Sequence, residues 1–258
     1  MIRPVAVALV LSCFTSAAAQ AQPAPAAGRP LLGARTEAKP AGRVETGRCK
    51  IGVIPIAGNL FTIQKIGPIA LSNTYVRAAA EWGLDELVVS RVRAAAPLAA
   101  VRRIVYSREE LARGNKPMSP FQNRNSNLND FIRKVTTGAN CERYVVVHRR
   151  GGGKSVFGIG IAKFVSLIES RTFLFAMMQV QIYDGATLEL IKEGPALIDD
   201  ESLLARAYLN PVGGPYRALD ERSFPASPAE AVANPTLREG VRALLTASLD
   251  KTLPAMLR

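Results

Sequence analysis

A basic, glycine-rich segment has the residue types that best fit a binding function. Residues 143–163 contain five basic residues and no acidic one. Successive glycine amides in a turn form an anion-binding concavity, and guanidinium groups bind carboxylate or phosphate through paired hydrogen bonds. The sequence therefore predicts an anion-binding site made of Arg149, Arg150, Gly151, Gly152, Gly153 and Lys154. A solvated hairpin tip, whose charges only contact water, is the alternative interpretation.

The same segment ends in Gly153-Lys154-Ser155, as the phosphate-binding loop of nucleotide-binding proteins does. That motif requires glycine at position 148, where this chain has histidine. It also requires a helix after the serine, whereas residues 156–162 have the apolar pattern of a strand. We expect no nucleotide and no other cofactor.

Catalytic and metal-binding patterns are weak. The chain has one histidine, which excludes a multi-histidine metal site within one copy. Two arginines follow His148, and they disfavour the protonated imidazole that a general base must form. Residues 199–201 are acidic, but they precede a predicted helix and complement its N-terminus. The sequence predicts no catalytic residue and no metal site, and a periplasmic hydrolase with an unrecognised site is the alternative function.

The N-terminus has the pattern of an export signal. Arg3 precedes ten mostly apolar residues at positions 5–14, and small residues follow. This pattern predicts a signal peptide over residues 1–21, with cleavage after Ala19 or Ala21. A bacterial lipoprotein anchored through Cys13 is the alternative. The apolar run is too short to span a bilayer, and we expect no transmembrane helix in the mature chain.

Charge and compartment together limit the partners. The chain carries a net charge of +12, and an exported protein does not meet nucleic acid. The polyanions of the cell envelope are phosphates, lipid headgroups and cell-wall carboxylates. We therefore expect a periplasmic protein that binds an anionic envelope polymer, a lipid headgroup or an envelope protein. Residues 22–48 are rich in Ala and Pro and predict a flexible tether before a domain at residues 49–258.

Two cysteines lie in that domain. Cys49 precedes an apolar strand at residues 50–56, and Cys141 precedes another at residues 143–148. If these strands are parallel neighbours, both cysteines lie at the same end of the sheet, about 4.8 Å apart. A disulfide between Cys49 and Cys141 follows for an oxidising compartment. Two buried free thiols are the alternative.

The secondary-structure elements that position these residues follow two patterns along the chain: strands and helices alternate in the first part, and strands predominate in the second. Strands and helices alternate up to residue 148, including a helix at residues 86–96 with Asp85 as its N-cap. A long apolar strand at residues 172–183 then leads into an Asp184-Gly185 hairpin. A helix is expected at residues 200–208, and a last amphipathic helix begins at Asn234. This order predicts a single α/β domain with one mixed parallel and antiparallel sheet, packed helices and a C-terminal helix.

Two strand motifs carry a family resemblance. One is the Tyr-Val-Val-Val strand at residues 144–147, after the strand at residues 50–56. The other is Gln-Val-Gln-Ile-Tyr-Asp-Gly-Ala-Thr-Leu-Glu-Leu at residues 179–190. Over about residues 50–192 the chain resembles periplasmic α/β domains of the curli-secretion (CsgG) and penicillin-binding-protein-activator (LpoB) type. The Trp-Gly-Leu-Asp sequence at residues 82–85 is similar to uncharacterised exported proteins of proteobacteria. The resemblance implies a non-catalytic envelope domain used for binding or assembly.

Overall fold

The computed structural model describes residues 49–68, 73–107, 109–111, 124–151, 156–166, 169–198 and 214–258. The predicted signal peptide, the tether, Cys13 and the predicted helix at residues 200–208 lie outside these ranges. Within them the chain forms two five-stranded sheets and several helices. Among the described helices, none combines the length and apolar character that crossing a bilayer requires.

The strands and helices have the following bounds. The strands are β1 (Cys49–Ile56), β2 (Leu60–Ile66), β3 (Thr74–Ala79), β4 (Val101–Arg103), β5 (Cys141–Arg149), β6 (Ile159–Val165), β7 (Ser170–Ala176), β8 (Met178–Asp184), β9 (Leu190–Pro195) and β10 (Tyr216–Leu219). The α-helices are α1 (Leu84–Ala95), α2 (Arg124–Thr136), α3 (Pro228–Ala233) and α4 (Pro235–Leu257), and Glu221–Ser223 form a 3₁₀ turn.

The first sheet, sheet 1, has the order β4-β1-β5-β8-β9. β1 lies between β4 and β5 and is parallel to both, β8 pairs antiparallel with β5, and β9 pairs antiparallel with β8. Val53 packs with α1 on one face, and Ile54 packs with Ile132 of α2 on the other. The chain therefore continues from β1 to neighbours on both sides, with helices on opposite faces. Such a strand marks the topological switch point of an α/β sheet.

The second sheet, sheet 2, has the order β10-β7-β6-β2-β3. Only the β2–β6 pair is parallel among its described pairs. One face of sheet 2 carries Phe61, Ile161 and Leu174 into the large core that it shares with sheet 1, α1 and α4. The other face carries a smaller cluster around Phe173 and Phe175.

The α/β class, the mixed pairing and the C-terminal helix are confirmed, but the strands form two sheets where the sequence predicted one. The apolar stretch predicted as one strand is broken at Met177, which is fully buried between β7 and β8. The Met177 N–H donates to the Gly158 carbonyl, and its own carbonyl accepts from the Arg150 N–H. Because Met177 bonds to the β5–β6 connection, the chain passes from sheet 2 into sheet 1 at this residue.

The two longest helices of the large core, α1 and α4, begin differently. The last helix starts at Asn234-Pro235 as predicted, and Asn234 is its N-cap, since its side chain accepts from the N–H groups of Thr236 and Leu237. The prediction that Asp85 caps α1 is wrong. Gly83 is the N-cap, in a left-handed conformation with φ of 63°. Asp85 lies inside the first turn, and its carboxylate accepts from the Gly58 N–H at 2.9 Å.

The structure contains the predicted disulfide between Cys49 and Cys141. These residues are register partners of the parallel strands β1 and β5, and their Cα atoms lie 4.5 Å apart. Both side chains are buried beside α2. The disulfide thus joins the first residue of β1 to the first residue of the neighbouring strand β5.

Candidate functional site

The predicted anion-binding segment lies at the end of β5, and the structure describes half of it. Arg149 is the last residue of β5, the Arg150 N–H bonds to Met177, and Gly151 forms a β-bridge with Phe157. Gly152, Gly153 and Lys154 lie outside the described residues. Anion binding by the segment as a whole therefore stays a prediction.

The Arg149 side chain leaves the glycine turn and packs inside the molecule. Its Nε donates to the Ala57 carbonyl, just beyond the end of β1. Its stem lies over Gly158, where an added Cβ would come within 2.9 Å of the Arg149 Cδ. Gly158 also has a φ of +70°, so glycine is required there both for space and for backbone conformation. Loss of hydration lowers the pKa of Arg149 to about 10.

Three side chains from other elements influence the Arg149 guanidinium electrostatically. The Asp85 carboxylate of α1 favours its charged form, the guanidinium of Arg77 in β3 opposes it, and Tyr75 of β3 acts on it only when its hydroxyl is ionised. The Arg77 Nε donates to the Tyr75 hydroxyl, and its guanidinium carbon lies 5.0 Å from the centre of the Tyr75 ring. We call Tyr75, Arg77, Asp85 and Arg149 the arginine site.

The arginine site contains one guanidinium more than its single carboxylate balances. Burial raises the pKa of Asp85, and the Gly58 N–H bond and the Arg103 charge partly offset this rise. Arg103 itself pairs with Glu86 at 2.7 Å. Among the described residues, Arg77 has no carboxylate partner, and the buried Nη2 of Arg149 has no hydrogen-bond acceptor.

The position of this site agrees with a general property of α/β sheets. Ala57 and Gly58 follow the carboxyl end of β1, and Arg149 ends the parallel neighbour β5. Ligands of open α/β sheets bind beyond the carboxyl ends of the strands, at the switch point. An exposed guanidinium beside a buried one is suited to a carboxylate or a phosphate.

Sequence reasoning identified Arg149 and missed Tyr75, Arg77 and the site role of Asp85. These residues come from β3 and α1, and they reach Arg149 only because the two sheets meet at the ends of β1 and β5. No local spacing connects them with residue 149. The one local signal is Asp85, which directly follows the Trp82-Gly83-Leu84 sequence and has the position of a helix cap.

His148 lies on the opposite face of β5 from Arg149. Its Nδ1 lies 3.1 Å from the Arg149 carbonyl oxygen. Burial lowers the pKa of His148, although the Gln181 side chain and the charge of Glu193 favour protonation. Gln181 in turn bonds to Glu193 and accepts from the Tyr183 hydroxyl. A backbone oxygen therefore faces Nδ1 of the ring, whereas the buried Nε2 has no hydrogen-bond partner among the described residues.

The described residues contain no group of three or more His, Cys, Asp or Glu side chains placed to hold a metal ion. The acidic residues 199 and 200 lie outside the described part of the chain, as does residue 201.

Comparisons with known proteins give structural likeness only. No protein-family model matches the chain, and no curated protein is significantly similar to it. The C-terminal domain of LpoB from Salmonella enterica is similar over 59% of this chain and 84% of that domain, with 10% sequence identity and a TM-score of 0.22. The hypothetical protein CT253 from Chlamydia trachomatis is similar over 80% of this chain and 100% of its own, with 10% identity and a TM-score of 0.24. The chain therefore has a distant structural similarity to an LpoB domain, the type that its strand pattern indicated.

Proposed function

We propose that this protein is an exported, non-enzymatic accessory domain that binds an anionic group of a cell-envelope component at the arginine site. One observation carries the proposal. The buried Nη2 of Arg149 has no acceptor among the described residues, and a second guanidinium, that of Arg77, lies nearby.

An unsatisfied N–H on a buried charged group is unfavourable by about 1–3 kcal/mol. An anion that enters beside Arg77 supplies the missing acceptor and also reduces the repulsion between the two guanidinium groups. Arg77 and Tyr75 are exposed, so the anion contacts Arg77 first. Rotation of these two edge side chains then gives access to Arg149.

Asp85 does not satisfy the site by itself. Its carboxylate accepts the Gly58 N–H, and its single charge balances one of the two guanidinium groups. The negative charge of the same carboxylate also weakens the attraction of the arginine site for a small free anion. We therefore expect a ligand whose carboxylate or phosphate is presented on a larger molecule that makes further contacts.

Two features support the proposal that the protein is exported to the cell envelope. Residues 1–21 have the signal-peptide pattern, and the Cys49–Cys141 disulfide is of the kind that persists in oxidising compartments. The net charge of +12 also suits an envelope surface rich in phosphates and carboxylates.

The test is retention of the mature protein on a washed envelope fraction. We expect Arg77→Gln and Arg149→Gln each to weaken retention several-fold, and we expect the retention of the wild type to fall as salt rises. Arg171→Gln is the matched control, because Arg171 is an exposed arginine of sheet 2 that pairs with Glu169 at 2.6 Å.

Arg77 is exposed at a sheet edge, so Arg77→Gln keeps the fold even if Arg149→Gln does not. The proposal would be overturned if Arg77→Gln were retained as strongly as the wild type. It would also be overturned if Arg171→Gln lost as much retention as Arg77→Gln.

A further inference from the structure

We infer that β3 is a docking edge, at which an extended acidic segment of a partner protein adds to sheet 2 as a further strand. The inference rests on the proposed function, because Arg77 of the arginine site lies in the middle of this strand. It identifies the anionic component as a protein segment.

Along its outer edge, the backbone of β3 has hydrogen-bonding groups that no other described residue uses. The Ala80 N–H donates to the Asn59 carbonyl, and the β2–β3 pairing continues from there without a shift. In an antiparallel pair, bonded and non-bonded residue pairs alternate. The backbone groups of Thr74, Val76 and Ala78 therefore face β2. Those of Tyr75, Arg77 and Ala79 face outward, and β3 is an edge of the described sheet.

The other edge strands of the described sheets are short or interrupted, as natural edges are. β4 has three residues and β10 has four. β9 has a register irregularity opposite Ile182 and Tyr183, and it ends in Pro195. β3 has six residues in regular pairing and contains no proline. Of these edges, β3 is the one that can accept a partner strand over its length.

The side chains of β3 suit a partner strand with mixed character. Tyr75 and Val76 are each 44% exposed and so can contact an added strand. Ala78 faces inward, and Ala231 of α3 belongs to the same buried cluster. The helix therefore packs on the inner face and not on the face that carries Tyr75 and Arg77.

The positive charge at the β3 edge indicates which kind of segment binds there. Arg77 lies on the edge strand, and Lys65 of the neighbouring strand is also exposed. A second copy of this chain would bring the same cations together, and like charges on neighbouring strands are destabilising. An acidic side chain on an added strand instead pairs with Arg77 while its backbone bonds to residues 75, 77 and 79. Strand addition of this kind is a common mode of peptide recognition.

The test uses a capped six-residue peptide of alternating valine and threonine with one central glutamate. When the peptide is added to the mature protein, we expect amide hydrogen exchange to slow at Tyr75, Arg77 and Ala79. Exchange at Val76 and Ala78 should change little, because their amides already bond to β2. The same peptide with glutamine in place of glutamate should bind several-fold more weakly.

The Ala79→Pro variant tests strand addition at the β3 edge independently of anion binding at the arginine site. It removes one outward N–H and blocks the added strand, while the bonds to β2 are kept. We expect about tenfold weaker peptide binding than in Ala79→Val, which keeps the N–H. If Ala79→Pro fails to fold, the exchange pattern of the wild type decides.

Several results would overturn the inference. They are uniform exchange protection, no glutamate preference, or sedimentation of the protein alone as a dimer that Ala79→Pro dissociates. Protease treatment of the envelope fraction gives an independent result. Retention that depends on Arg77 but survives protease treatment would leave the proposed function standing and exclude a protein segment as the partner.

Discussion

His148, the one histidine of the chain, couples stability to pH in a direction set by its surroundings. Burial lowers its pKa in the folded protein below the ordinary value of 6.5. As pH falls below about 6.5, the unfolded chain binds a proton that the folded protein does not. This difference in proton binding therefore lowers the free energy of unfolding as the pH falls from about 6.5 toward the lowered pKa of His148.

We expect the free energy of unfolding to fall by up to about 1.4 kcal/mol per pH unit in this window because of His148. Urea denaturation of the wild type and of His148→Gln between pH 5 and pH 8 measures it. The two stabilities should run parallel above pH 7.5, and that of the wild type should fall more steeply than that of His148→Gln below about pH 6.5. Equal slopes for the two proteins between pH 5 and pH 6.5 would contradict the prediction.

At the scale of elements, the parallel contact between β2 and β6 depends on Gly160. A Cβ at Gly160 would lie 2.2 Å from the Thr62 carbonyl oxygen and 2.9 Å from the Phe175 Cζ. Because the first of these atoms is backbone, the strands themselves would have to separate. We expect Gly160→Ala to destabilise the protein by about 1–3 kcal/mol, the usual range for overpacking.

Gly194→Ala in β9 is the control for that substitution, because its Cβ would meet only the Met256 Sδ at 3.8 Å. Urea denaturation compares the two variants. Equal stability of Gly160→Ala and Gly194→Ala would contradict the close approach of β2 and β6.

The elements also show which parts of the fold a sequence can predict. β1, β5 and the disulfide were predictable because short apolar runs and two cysteines fix them locally. The break at Met177 was not, since the residue is as apolar as its neighbours and turns only because it bonds to Gly158 and Arg150. β3 was missed because its residues are mostly exposed and lack the alternation that marks a half-buried strand.

The candidate site was predictable to the same extent. Arg149 was found because it lies in a local cluster of cations, although its side chain leaves that cluster for Ala57. Arg77 comes from a strand that was not predicted, and so its proximity to Arg149 had no local signal.

At the scale of the whole molecule, the disulfide closes a segment with a sequence separation of 92. This segment contains β2, β3, α1, β4 and α2. Restricting so long a loop in the unfolded chain stabilises the folded state by roughly 4–5 kcal/mol in the chain-entropy model, and 2–5 kcal/mol is typical of native disulfides. We expect the Cys49→Ser, Cys141→Ser double variant to lose stability in that range.

Denaturation of oxidised and reduced wild type, beside the double variant, measures this loss. Thiol labelling of the denatured, non-reduced mature protein should find no free cysteine. Two labelled cysteines per chain, or equal stability of the three samples, would contradict the prediction.

The same covalent link gives the protein a mechanical property. Cys49 is the first residue of β1, so tension from the N-terminal side reaches the domain at this point. Without the link, the pull would act on β1 alone and open its backbone bonds to β4 and β5 one after another. With the link, the load passes through two sulfur atoms into β5, which β8 holds on its other side over seven residue pairs. A domain held by its N-terminus while a partner pulls at β3 would therefore carry that force through the middle of sheet 1 without unravelling from its first strand.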